Sequence, residues 1–230
     1  MHQQYGQFCP VAMASEVLAE RWTLIILREL LAGSRRFNQI RRGVPRLSPT
    51  LLKQRLQTLE KAGIVERQYA EDGGVDYLLT QAGRDLQSVV HSVGEWGQRW
   101  ARDIERRDLD PGLLMWAMHR RLNTPLMPSG RTVIAIEFLD SRITHRRFWL
   151  VHLDGQVQVC LKDPGYDTTV YVSTHLRVLA EVWRGIRSIS DELRAGTITL
   201  SGPPSLCRDF PKWLLLSHFA SIKRAGASSH

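Results

Sequence analysis

Thr50, Lys53, Gln54 and Gln57 recur three or four residues apart, and each side chain ends in a group that donates or accepts hydrogen bonds. On a helix that spacing puts them on one side. Hydroxyl, ammonium and amide groups pair with the edges of bases or with phosphate oxygens, and none of the four is acidic. They lie inside a basic stretch. Between Arg21 and Arg67 there are eleven Lys and Arg residues against three acidic ones, a surplus equal to the +8 net charge of all 230 residues. The rest of the chain is neutral. A charge this localised suits a polyanion, because each cation set on a phosphate releases condensed counterions.

Cys9 is the other residue with reactive chemistry. It precedes Pro10 at an expected helix start, where the dipole and free N–H groups favour a thiolate. Two readings stand side by side: a sensor of oxidants or electrophiles, and a small residue packed near an interface. The remaining cysteines, Cys160 and Cys207, are far from it and from each other, so neither a disulfide framework nor a zinc site is indicated. The eight histidines are scattered. Without a Gly-rich phosphate loop, a nucleophile motif or metal-ligand spacing, the expectation is no enzyme, no cofactor and no metal. Hydrophobic content is 43% and charged content 23%, ordinary for a globular protein. With no apolar run long enough to span a bilayer and no signal peptide evident, a cytoplasmic protein without a membrane partner is expected.

The elements that must position these residues follow from spacing and caps. A short helix starts at Pro10, a second covers Thr23 to Leu31, and a third Phe37 to Arg42, closed by Gly43-Val44-Pro45. Ser48 caps the next helix and Pro49 fills its first turn. Leu52, Leu56 and Leu59 form its buried stripe, opposite Thr50, Lys53, Gln54, Gln57 and Lys61. Ile64 to Ala70 and Val75 to Leu79 read as strands joined through Asp72-Gly73-Gly74, a wing behind a recognition helix. Thr80 then caps one long helix, Gln81 to Arg107, whose Leu86, Val89, Val93, Trp96 and Trp100 make an apolar stripe that needs a partner. The stripe either packs on its own domain or meets a second copy, and the second copy is favoured, since such readers usually bind two half-sites.

Residues 8 to 107 resemble the HxlR family of bacterial winged helix-turn-helix regulators. The resemblance is carried by Cys9-Pro10-Val11, by Arg21 through Leu30, by Arg36-Phe37-Asn38-Gln39-Ile40 and by Leu47 through Leu56. It continues through Leu59 to Val65 and Tyr77 to Gly83. The resemblance implies a homodimer on double-stranded operator DNA, joined through its terminal helices. Some members use an N-terminal cysteine as a sensor, and many keep the Cys-Pro pair without such a role. Arg35, Arg36, Arg41 and Arg42 are expected on phosphates, which sets register without reading sequence. Lys53, Gln54 and Gln57 are expected on bases. Ser48, Pro49, Thr50, Arg67 and Gly73 complete the expected contact surface, while Arg21 and Arg28 are assigned to the fold or the dimer.

Two domains are expected, 1–107 and 108–230, with Asp108 to Gly112 as the linker. The second reads as a helix from Pro111 to Leu122, then strands at Thr132 to Phe138, Arg147 to Leu153, Gln156 to Lys162 and Thr168 to Val172. Asp154-Gly155 marks a hairpin. A helix from Thr174 to about Gly185, a short one over Ser190 to Ala195, a strand over Thr197 to Leu200 and a helical region over Ser205 to Phe219, broken by Pro211, complete it. The class is α+β, with helices on one side of a mostly antiparallel sheet. Residues 132 to 216 resemble the sterol carrier protein-like fold, through Phe148-Trp149-Leu150-Val151, Asp163-Pro164-Gly165 and Gly196 to Gly202. That resemblance implies a cavity for a lipid-like small molecule. Its expected lining is Leu113, Trp116, Phe148, Leu150, Val159, Trp183, Phe210 and Trp213, all of which also suit an ordinary core. The leading expectation is thus a homodimeric DNA-binding regulator with a hydrophobic effector. The alternative is a lipid carrier whose basic region docks on anionic surfaces.

Overall fold

Pro10 and Pro49 each stand in the first turn of a helix, where a missing N–H costs nothing. The computed structural model describes residues 5–140 and 144–225. The chain divides into two compact units, Met1–Gly97 and Gln98–His230.

In the first unit, α1 (Pro10–Leu18), α2 (Thr23–Leu31), α3 (Phe37–Gly43) and α4 (Pro49–Lys61) precede a two-stranded antiparallel wing, β1 (Val65–Tyr69) and β2 (Val75–Leu79). Ile26, Leu27 and Leu30 of α2, Ile40 of α3 and Leu52, Leu56 and Leu59 of α4 form one core with Val44, Leu47, Ile64 and Val65. Buried methylene and methyl groups on three successive helices are what hold this small unit together. Gly43 is where α3 meets α2: a methyl group there would lie 1.9 Å from the Glu29 carboxyl carbon. Glu29 is buried and held by Arg28 at 2.8 Å, and Arg28 also donates to the Gly43 carbonyl at 2.8 Å. Arg28 therefore serves the fold.

The expected helix from Gln81 to Arg107 is two helices and a turn. Thr80 caps α5 (Gln81–Asp85), Leu86 interrupts the ladder, and α6 (Gln87–Trp100) ends seven residues early. Beyond it, Asp108 accepts from the Glu105 backbone N–H at 2.8 Å and pairs with Arg102 at 2.5 Å, which closes a 3₁₀ turn over Arg106–Asp108 instead of continuing the helix. The division of the chain falls at Gly97/Gln98, before the expected Arg107/Asp108. Gln98 belongs with the second unit because its carboxamide accepts Arg184 Nε and Nη2 at 3.0 and 2.7 Å and donates to the Arg184 carbonyl at 3.1 Å.

In the second unit, Asp110 caps α7 (Pro111–Met118), accepting from the Leu113 N–H at 2.8 Å. A 3₁₀ turn over His119–Arg121 replaces the expected last helical turn, because Leu122 bridges to Leu214. Five strands follow, β3 (Thr132–Phe138), β4 (Arg147–Leu153), β5 (Gln156–Cys160), β6 (Val170–Thr174) and β7 (Ile198–Ser201). They form one sheet in the order β5-β4-β3-β6-β7. Only the β3–β6 pairing is parallel. Helices α8 (Leu176–Trp183), α9 (Ile189–Arg194) and α10 (Pro204–Trp213) complete the α+β unit. α10 stops at Trp213, short of the expected Phe219, since Asn123 donates to the Trp213 carbonyl at 2.8 Å and Leu215 to the Arg121 carbonyl at 2.9 Å. Alternate residues of the strands, among them Ile134, Ile136, Phe148, Leu150, Val170 and Val172, face a core completed by α7, α8 and α10.

Candidate functional site

The face opposite the leucine stripe of α4 is open. Ser48, Pro49, Thr50, Lys53, Gln54 and Gln57 are all exposed, while Leu52, Leu56 and Leu59 are buried. The Ser48 hydroxyl accepts from the Leu51 N–H at 3.2 Å and fixes where the helix begins. Arg55, on the flank, is bound to Glu20 and donates to the Arg21 carbonyl at 3.2 Å, so it ties α4 to the chain ahead of α2.

The expected phosphate cations fall into two groups. Arg35, Arg41 and Arg42 are exposed at the two ends of α3. Gln39 holds the first end, its Oε1 accepting from the Arg35 and Arg36 N–H groups at 2.9 and 3.0 Å. Arg36 is different. Its guanidinium pairs with Asp72 at 3.0 Å and with Asp76 at 2.5 Å, and its backbone bridges to Asp76. Arg36 therefore locks the wing onto the start of α3. Asp72 lies below the usual carboxylate range, first because it accepts the Gly74 N–H and then because of Arg36. Arg67 likewise engages Glu60 at 3.1 Å. Gly73, exposed at the wing tip, takes a φ of 76°, a left-handed value that glycine adopts without strain.

Cys9 is exposed at the N-terminus of α1. It makes no capping hydrogen bond, yet the N–H groups of Ala12 and then Val11 hold its thiol below the ordinary range. Apolar side chains of α1 and α6 are also open. Val11 and Met13 of α1 are exposed, as are Val89, Val93, Trp96 and Trp100 of α6, with Trp96 at 64%.

Residues 17–105 match the HxlR-like helix-turn-helix family. The HTH-type transcriptional regulator YvaP of Bacillus subtilis (strain 168) is 34% identical over 98 residues, 41% of this chain and 91% of that protein. The chain belongs to the HxlR-like helix-turn-helix family. The HTH-type transcriptional regulator YodB of the same organism is 35% identical over 95 residues, 40% of this chain and 85% of its own length. Among solved structures, the reduced form of YodB from B. subtilis shares 34% identity, with 40% of this chain and 93% of that one covered at a TM-score of 0.36. As an HxlR-type protein the chain is a DNA-binding transcriptional regulator with an N-terminal winged helix-turn-helix.

The family match ends at residue 105, shortly after the close of the first unit. Four of the expected pocket residues, Phe148, Leu150, Phe210 and Trp213, are each 1% exposed and packed in one core. Phe210 and Trp213 meet edge to face at 6.1 Å, and the Trp213 indole N–H donates to the Leu126 carbonyl at 3.1 Å. Val159 and Trp183 pack on the margin of that core. Leu113 and Trp116 lie apart from it: Trp116 stacks with His119 at 4.5 Å and carries the Arg120 guanidinium at 4.5 Å. None of the eight lines the open groove of about 910 Å³ bordered by Arg121, Arg187, Ser188, Asp191, Leu214 and His218. The expected lining is thus divided between a packed core and a separate aromatic contact.

Sequence reasoning passed over two inward-facing polar residues of this sheet, Thr132 and His152. Their signal was the strand alternation itself, since His152 follows Phe148 and Leu150 at a spacing of two. Among the described residues no helix is long and apolar enough to cross a membrane.

Proposed function

We propose that this regulator acts as a homodimer on double-stranded operator DNA, with α4 in the major groove. The observation that carries the reading is the division of α4 into a buried leucine stripe and an exposed face of Thr50, Lys53, Gln54 and Gln57. Lys53, Gln54 and Gln57 read base edges. Arg35, Arg41 and Arg42 grip phosphates on either side, and Ser48, Pro49 and Thr50 approach the backbone at the helix start. Gly73 carries the wing tip toward the neighbouring groove. Arg36 and Arg67 act at one remove, by fixing the wing. Two copies join through the open apolar faces of α1 and α6, which a lone soluble unit would otherwise leave to water.

The second unit, in this proposal, takes an apolar effector into the core around Phe148, Leu150, Phe210 and Trp213. Supporting it are the size of that core and Pro211 within α10, which removes one helical hydrogen bond. The effector acts by favouring one geometry of the paired readers over another. A second reading adds Cys9 as a sensor thiol, supported by its exposure and lowered pKa.

Gel-shift titration on DNA upstream of its own gene tests the interface. Lys53→Ala and Gln54→Ala should each weaken specific binding by roughly 10- to 100-fold. Arg41→Ala should weaken all sequences alike and reduce the salt slope by about one. Unchanged binding by the α4 variants would remove α4 as the reading helix.

A further inference from the structure

We infer that Thr132 and His152 form a subsite for a single hydroxyl group carried on an otherwise apolar effector. This rests on the reading of the second unit as an effector domain and says where the effector's polar end goes.

Thr132 is fully buried and His152 is 5% exposed. They are directly opposed in the antiparallel β3–β4 pair, so their side chains share one face and lie within reach of one small group. That face is the inward one: two residues along are Ile134 and Leu150, both core residues, and beside His152 is Val157 of β5. The His152 ring is pinned by the hairpin turn that follows it. Its Nε2 accepts the Gly155 N–H at 3.2 Å, so in the neutral ring the proton is on Nδ1. Nδ1 and the Thr132 Oγ1 are both buried, and no other group of the protein hydrogen-bonds to either.

Two adjacent unsatisfied polar atoms at the edge of an apolar core are costly to fold, and buried polar atoms are otherwise nearly always paired. What they ask for is specific. The imidazole Nδ1–H needs an acceptor, and the Thr132 hydroxyl can donate or accept. A hydroxyl oxygen accepts from His152 while giving its own proton to Thr132. Neither residue contributes a fixed charge when the ring is neutral, so a neutral oxygen suits the pair. The apolar remainder of the molecule lies along Ile134, Leu150 and the core beyond.

The test uses the full-length protein with 1-decanol and n-undecane as probes, followed by tryptophan fluorescence. The wild type should bind decanol about tenfold more tightly than undecane, as a charge-free hydrogen-bonded pair predicts. Thr132→Val should fold at least as stably and narrow the preference for decanol, with undecane binding kept, because the hydroxyl still accepts from His152. His152→Phe should narrow it by removing the donor, and the two changes together should bring the probes to within about twofold. Equal binding of the two probes by the wild type would overturn the subsite while leaving the effector reading standing. A preference for decanol that survives Thr132→Val and His152→Phe would overturn it too. Failure of both probes to bind would take down the effector reading and the subsite with it.

Discussion

Arginines close together in the sequence carry different duties in the fold, and their partners decide which. Arg28, Arg36, Arg55 and Arg67 are each committed to an acidic residue of their own unit, whereas Arg35 and Arg41 stand exposed at the ends of α3. A count of charge cannot make that distinction, because the acidic partners Asp72 and Asp76 come from a hairpin more than thirty positions along the chain from Arg36. Cys9 is a residue-scale case of the opposite kind, since its perturbation is local: the N–H groups of Ala12 and Val11 favour the thiolate. In a variant lacking Cys160 and Cys207, the rate of iodoacetamide alkylation at Cys9 should reach its midpoint at lower pH in the native than in the unfolded protein. Coincident midpoints would show that the helix start does nothing for this thiol.

At the scale of elements, α6 carries the clearest unmet requirement. Val89, Val93, Trp96 and Trp100 lie one or two turns apart along the helix, and all four are exposed. Covering one large apolar side chain is worth on the order of 1.5–3 kcal/mol, so a shared stripe can hold two copies together. Trp96→Glu should halve the mass measured by light scattering at micromolar concentration, and it should weaken operator binding because two half-sites are no longer read as one. A wild type that is already monomeric under those conditions would contradict the pairing. The interruption at Leu86 and the early end at Trp100 escape the periodicity. The apolar spacing runs on through Ile104, but Asp108 satisfies the Glu105 N–H and Arg102 in a tight turn instead.

For the whole molecule, acid sensitivity follows from carboxylates held in their charged form. Asp108 lies well below its ordinary range because of Arg102 and then the Glu105 N–H, and Glu192 is lowered by Thr197 and then Arg187. A depressed pKa in the folded state contributes stability that is present above the unfolded value and is lost as pH falls through the folded one. Stability should therefore decline as pH drops below about 5, where unfolded carboxylates start to bind protons. Asp108→Asn should flatten part of that decline when unfolding is followed by urea titration across pH. An unchanged pH dependence would show that Asp108 keeps its low pKa in the unfolded chain as well.

Within the first unit, α4 and the wing were legible from local signals, while the break at Leu86 was not. Ser48, Pro49 and the leucines at 52, 56 and 59 specify α4 through local rules of hydrogen bonding and periodicity, and the observed helix begins at Pro49 as those rules require. The strands β3 and β4 were likewise legible to the residue, because alternation and the Asp154-Gly155 turn are local signals. It took the folded chain to show that Arg36 clamps the wing, that Phe148, Leu150, Phe210 and Trp213 meet in one core while Leu113 and Trp116 do not, and that Thr132 and His152 face each other without a partner from the protein. The reason is physical. Caps and periods are set by neighbours within a turn or two, whereas packing and hydrogen-bond satisfaction depend on residues that come together only when distant segments fold onto one another.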